Sequence, residues 1–284
     1  MQAITVKTYS DNLYNAADNS KFHNVLFFEA NHFSSVTVDV AAKQIMEMVV
    51  ISAATQNILQ LSYDELKQIQ PLMDEMAKKY KERKVVISDK LCTLVPESLL
   101  NVVETEAYQQ LNHPILPNSQ VLYCKLHVQQ TAVLFNVRNE LVKLIRFNLP
   151  MSEVIHGSLL FIKAVEQQQF SDASNKLHLH IHPGYIEILC IDQQIRFYNT
   201  FPFESDTEIV YYLLAAAEQL QISHSCDVVL YGNSPILSAL HTLIGKYVRN
   251  VQFAIKPKNF TFPGTFKEFS EHQFFTEASA LLCE

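Results

Sequence analysis

After a polar lead at residues 1–20, apolar residues gather in three extended stretches, Asn24 to Ala30, Ser34 to Val40 and Gln44 to Ala53. Side chains on a strand point alternately to its two faces, so this pattern predicts a three-strand meander with short turns. From Ser62 to Tyr80 the period changes: Leu66, Ile69, Leu72, Met73, Met76 and Tyr80 recur at helical spacing. Ser62 followed by Glu65 has the form of a capping box, so one helix is predicted over this stretch. Lys84 to Ser88 and Lys90 to Val95 read as extended, and Pro96 opens a helix to about Leu111, with Pro114 and Pro117 as stops. Val121 to Val128 and Thr131 to Val137 form a second meander, Arg138 to Leu149 is helical, and Pro150 to His156 is the expected crossover between lobes.

The second half repeats the theme. A helix through about Gln168 precedes three strands, Leu177 to His182, Tyr185 to Ile191 and Ile195 to Phe201. A helix from Ser205 to Leu220, a strand from Cys226 to Tyr231, a helix from Pro235 to Tyr247 and a strand from Val248 to Ala254 follow. A meander followed by alternating helices and strands predicts an α/β fold whose sheet is antiparallel on one side and parallel on the other. Its approximate duplication predicts two lobes, residues 1–150 and 151–284. The last stretch, Lys256 to Glu284, carries Pro257 and Pro263 and a helix-like end from Phe266. It is expected to strap back across the first lobe; a free interaction tail is the alternative, against which its phenylalanines stand.

Composition narrows the function classes. With 284 residues, 48% hydrophobic and 18% charged, the chain can bury a large core without disulfides or metal. A formal net charge of -7 gives no global field for a phosphate backbone, and the basic stretch Lys78 to Lys84 is interrupted by Glu82, so no nucleic-acid partner is expected. The five cysteines are widely spaced with no CxxC, as in scattered core thiols of a reducing compartment. The longest apolar run, Ile209 to Ala217, is too short to span a bilayer, so the expectation is a cytoplasmic protein.

The segment HLHIHPGYIEILCIDQQIRFYNTFPF, residues 178–203, resembles the second phosphate hairpin of the actin-like superfamily, which includes sugar kinases, Hsp70 chaperones and the cell-division and pilus-assembly ATPases. LVPESL (94–99), EAYQQLNHPI (106–115), FYNTFPF (197–203), IVYYLLAAAEQL (209–220) and VVLYGN (228–233) together resemble an uncharacterised bacterial family with an actin-like, ribonuclease H-like duplicated fold. The resemblance implies two actin-like lobes and, in the superfamily, an Asp-x-Gly turn opening each half to hold phosphate and metal. Here Glu29, Ala30 and Asn31 occupy the first turn, and His180, Ile181 and His182 the second, with Gly184 displaced by two positions. Gly232, Asn233 and Ser234 are the nearest counterpart of the adenosine motif. With five glycines in the whole chain, ATP hydrolysis is not expected, and Glu29, Asn31, His180, His182, Gly184 and Gly232 mark a degenerate nucleotide cleft.

Three functional readings follow. The first is a non-catalytic actin-like module acting through a protein partner. The second is a divergent ATP-binding clamp or assembly protein in which Glu29 replaces the first Asp and His180 or His182 contacts phosphate, with Mg-ATP as the ligand. The third is a metal site at His178, His180 and His182, which alternate on one strand face and offer neutral imidazoles. Against that third reading stands a solvated or partner-facing strand, since a ligand from another element is needed to complete a site.

Further candidates read as ordinary structure. Glu187 with Glu204, and Glu29 with Asp39, could form acid/base pairs but read as solvent-facing carboxylates of amphipathic strands. Cys226 near His224 lacks any nucleophile elbow and reads as a buried thiol. Alternation puts Phe197, Phe201 and Phe203 on the core side of their strand and Tyr198 opposite. On the helix that follows, Tyr211, Tyr212, Leu213, Leu214 and Leu220 cover most of the circumference.

Overall fold

The computed structural model describes residues 4–12, 14–53, 57–168, 175–222, 226–232, 236–255, 261–262, 264 and 272–280. Asn233, Ser234, His224, Pro235, Cys283 and the helix-like stretch from Phe266 to residue 271 lie outside them. The chain divides into two compact units: Met1–Leu160 with Lys258–Glu268 and Ser279–Glu284, and Phe161–Pro257 with Phe269–Ala278.

In the first unit, β1 (Ile4–Ser10), β2 (His23–Phe28), β3 (His32–Asp39) and β4 (Gln44–Ala53) precede α1 (Tyr63–Lys67), α2 (Gln70–Ala77) and β5 (Glu82–Ile87). Next come β6 (Cys92–Pro96), α3 (Thr105–Gln110), β7 (Ser119–Leu126), β8 (Thr131–Arg138), α4 (Asn139–Asn148) and β9 (Glu153–His156). One sheet has the order β1-β4-β3-β2-β5-β9, with β2, β5 and β9 parallel and the remaining pairs antiparallel. Between β5 and β9 the chain builds a separate antiparallel sheet, β6-β8-β7. Beyond the second unit's strands the chain returns, and Thr261 exchanges backbone hydrogen bonds with Lys43 and Ile45.

Four elements differ from the sequence reading. The polar lead contains β1, an edge strand of β-branched and polar residues whose exposed side chains leave little hydrophobic signal. The single helix expected over 62–80 is two: the capping box at Ser62 and Glu65 forms, but Pro71 in the first turn of α2 has no N–H and its ring excludes a continuing helix. Pro96 ends β6 and is followed by a turn of 3-10 helix rather than a long helix. The Asn101 side chain accepts a hydrogen bond from the Val103 amide, a local closure that competes with helix before α3 begins. Finally, the expected crossover at 150–156 contains β9, which pairs with β5.

The second unit follows α5 (Gly157–Gln167), whose residues from Phe161 onward belong to it. It contains β10 (Lys176–His182), β11 (Tyr185–Ile191), β12 (Ile195–Pro202), α6 (Asp206–Gln219), β13 (Asp227–Tyr231), α7 (Leu237–Ile244), β14 (Asn250–Phe253) and α8 (Phe275–Ala278). The sheet order is β12-β11-β10-β13-β14, antiparallel through the meander and parallel beyond β10. One face carries Leu177, Leu179, Ile181, Ile186, Ile188 and Leu230, packed against Ile209, Leu213 and Leu240 of α6 and α7. Phe197, Phe201 and Phe203 pack at the margin of that core.

Candidate functional site

Period two puts every residue that alternates with the aliphatic core on the opposite face, and there the sequence supplies imidazoles, a carboxylate and phenols. β10 is the central strand, and Pro183 with Gly184 forms the two-residue turn into β11, Gly184 taking φ +80 as the position after a turn proline requires. That turn fixes the register: His182 pairs with Tyr185, His180 with Glu187 and His178 with Leu189. On the other side His180 pairs with Tyr231 of β13.

Nδ1 of His180 lies 3.2 Å and Nε2 of His182 3.0 Å from the same oxygen, Oε2 of Glu187. The other carboxylate oxygen, Oε1, accepts a hydrogen bond of 2.7 Å from the Tyr198 hydroxyl. His180 and His182 rings lie 4.0 Å apart, and His182 stacks on Tyr185 at 4.4 Å. Above them, Phe161 of α5 contacts the His180 ring, Phe275 of α8 packs edge-on against Tyr231, and Thr276 Oγ1 lies 3.4 Å from His180 Nε2. His178, His180, His182 and Glu187 are all at most 4% exposed.

This burial corrects two expectations. The histidine strand is neither solvated nor surface-facing, because α5 and α8 cover the second face of the sheet. Glu187 is likewise not a solvent-facing carboxylate, and it does not pair with Glu204, whose amide bonds to Glu208 in an exposed turn. Burial pushes the Glu187 pKa up, but hydrogen bonds from His180 and His182 and their charge outweigh it and hold the carboxyl well below its usual range. His178 does not join this cluster: its Nδ1 lies 2.8 Å from the Tyr231 hydroxyl, and burial, aided by the Lys176 charge, holds its pKa down to about 3.

The first turn is built differently. Glu29 is buried and Asn31 exposed; the Glu29 amide donates to the His32 carbonyl, and the Asn31 side chain bonds to the His32 ring at 2.9 Å. Asp39 lies at the far end of the β2–β3 hairpin, where it accepts from the Ala42 amide, so Glu29 and Asp39 are not an acid/base pair. Glu29 and Asn31 belong to the first unit, whereas His180, His182, Gly184 and Gly232 belong to the second. Gly232 follows β13 at φ +120 and backs directly onto the Ile181 carbonyl. Cys92, Cys124, Cys190 and Cys226 are buried and not joined in disulfides, and burial raises the Cys226 pKa to about 12, away from the thiolate that a nucleophile needs.

The residues that the sequence reading missed are Glu187 as the partner of the histidines, with Tyr198, Tyr231 and Thr276 around it. Glu187 had a signal: counting outward from the Pro183–Gly184 turn places it opposite His180.

Two units, one of them a meander of three antiparallel strands extended by parallel strands and the other the same pattern with an added edge strand and an inserted sheet, define the actin-like ATPase fold. The chain belongs to the family described as Protein of unknown function (DUF3822), whose model matches residues 14–251. No curated protein matches the sequence. Among solved structures, a Bacteroides thetaiotaomicron protein with an actin-like ATPase fold and unknown function is similar at 17% identity and a TM-score of 0.81, covering 96% of this chain and 100% of its own. A chain from the PilM-PilN type IV pilus biogenesis complex is similar at 13% identity and a TM-score of 0.54, covering 93% of this chain and 98% of its own. Among the described residues, no helix is long and apolar enough to cross a membrane.

Proposed function

We propose that this protein is an actin-like module that does not hydrolyse nucleotide and acts through protein contacts. The observation that carries this reading is the end of the strand before the second turn: where the superfamily resemblance calls for an Asp, this chain has His180 and His182, buried and bonded to Glu187. Gly184 keeps a small residue in the turn, but the strand end before it offers buried imidazoles tied to Glu187 in place of an Asp that would position metal or water. A chain of similar fold occurs in the PilM-PilN type IV pilus biogenesis complex, a precedent for such a fold in contact with a protein partner.

The contact surface fits the first unit. A groove of about 310 Å³ runs between β7, the edge strand of the small sheet, and α4, lined by Val121, Tyr123, Ile145, Leu149 and Val154. A largely apolar lining beside a strand that is outermost in its sheet among the described residues suits an extended or amphipathic segment of another protein.

Thermal unfolding with and without millimolar Mg-ATP tests the first half of the proposal, because a ligand that binds only the native state raises stability by mass action. No shift and no phosphate release above the blank are expected; a saturable shift with turnover would refute it in favour of a nucleotide clamp. For the second half, a photo-crosslinker placed at Tyr123 should give a discrete adduct in cells, lost when Ile145 on the facing wall of the groove is also changed to Asp.

A further inference from the structure

We propose that His180, His182 and Glu187 bind one divalent transition-metal ion of the zinc class, a site separate from the contact surface proposed above. Their donor atoms, one from each residue, lie within 4.8 Å of one another. In a tetrahedral site with bonds of about 2.05 Å, neighbouring ligand atoms stand about 3.3 Å apart. The Glu187 oxygen meets the two imidazole nitrogens at 3.2 and 3.0 Å, so a small movement of side chains accommodates the ion without moving the strands.

The surroundings have the organisation of a metal centre. His180 directs Nδ1 inward and holds Nε2 near Thr276 Oγ1 at 3.4 Å. Glu187 directs Oε2 inward while Tyr198 donates to Oε1 at 2.7 Å. Metal-binding imidazoles and carboxylates are oriented in this way through the atom that does not bind the ion. The three ligands are held by a central strand and its neighbour, and the His182 ring is fixed by stacking on Tyr185. A buried carboxylate next to two imidazoles also gains from a divalent charge, since burying an anion is costly unless it is paired.

The donor set selects the ion. Two imidazole nitrogens and one carboxylate oxygen suit zinc and its neighbours, whereas magnesium and calcium prefer all-oxygen shells with more ligands. Three protein ligands leave one position of a tetrahedron for water or a small anion. The proposed set differs in its third member from the one the sequence suggests: His178 has its Nδ1 2.8 Å from the Tyr231 hydroxyl, and Glu187 stands with His180 and His182 instead.

The experiment uses the full chain, stripped with a chelator and titrated with Zn²⁺ and, separately, Co²⁺. Expected are about one ion per chain by elemental analysis, a higher Tm with Zn²⁺, and visible Co²⁺ absorption typical of nitrogen and oxygen ligands. Glu187→Gln and His182→Gln should lose the Co²⁺ spectrum, and His178→Gln should keep it. Tyr198→Phe should weaken binding about 10- to 100-fold, the usual effect of removing an outer partner. A folded wild-type protein that takes up neither ion in stoichiometric amount overturns the proposal, whatever the variants do. So does a folded Glu187→Gln protein that binds as tightly as wild type.

Discussion

Gly232 separates two explanations of the same residue, a remnant of an adenosine motif or a backbone contact that only glycine permits. Its φ is +120, a region that costs an L-residue about 1–3 kcal/mol. A Cβ there would sit 2.4 Å from the Ile181 carbonyl oxygen and 3.3 Å from its carbon. Both atoms belong to the backbone of the central strand β10, so no side chain can rotate away, and forcing them apart adds about 1–3 kcal/mol. Gly232→Ala should therefore destabilise the second unit by roughly 2–5 kcal/mol, the two costs being partly relieved by one shift. Gly184 is the internal control: it too has positive φ, +80, but open space around its missing Cβ, so Gly184→Ala should lose only about 1 kcal/mol. The chain has no tryptophan, so urea unfolding is best followed by far-UV circular dichroism and tyrosine fluorescence. With urea slopes of about 1–3 kcal/mol/M, the Gly232→Ala midpoint should fall by roughly 1–3 M, and by clearly more than that of Gly184→Ala. Equal midpoints for Gly232→Ala and wild type would refute the backbone-contact argument. Unchanged stability with altered Mg-ATP binding would point instead to the nucleotide explanation.

Two further outcomes follow from the cores. Leu213 of α6 is fully buried against the aliphatic face of the second sheet, and Leu213→Ala should cost about 3 kcal/mol in urea unfolding. In the first unit, Lys78 lies 2.7 Å from Glu75 and 3.6 Å from Glu47. Burial raises the Glu47 pKa, and Lys78 pulls it back down. A raised acid contributes stability at pH below its unfolded value and loses it as pH rises through the folded value. Removing the ammonium in Lys78→Met should steepen that loss: unfolding at pH 4 should differ little from wild type, and at pH 8 the variant should be weaker by about 1 kcal/mol after solvent screening. A deficit as large at pH 4 as at pH 8 would assign Lys78 a packing role instead.

The strands of both meanders were legible because period two and short turns are local signals, and the Pro183–Gly184 turn even set the His180–Glu187 register. What the chain order hides is which face becomes wet. HLHIH alternates like a half-exposed strand, and the reading of a solvated histidine face followed from that pattern. β10 is instead the middle of five strands, and the residues that seal its polar face, Phe161 and Phe275, are far from it in sequence. β1 failed to stand out for the converse reason: an edge strand with mostly exposed side chains needs no hydrophobic face. The break at Pro71 was visible in the sequence, but the apolar spacing that continues on both sides of it masks the lost hydrogen bond.

The two faces of the second sheet are specified by different physics. The aliphatic face needs the right volume, and many combinations of Leu, Ile and Val would fill it. The polar face needs matched donors and acceptors because its groups are buried, so Glu187 commits the identities of Tyr198, His180 and His182 at once. Such a cluster is costly to assemble and is not required for stability, because apolar residues of similar size would fill the same space. Under the readings proposed above, its retention has a functional explanation. On those readings the histidines that end β10 both stand where the superfamily resemblance calls for an Asp and supply two of the three proposed metal ligands, so one strand end would serve both proposals.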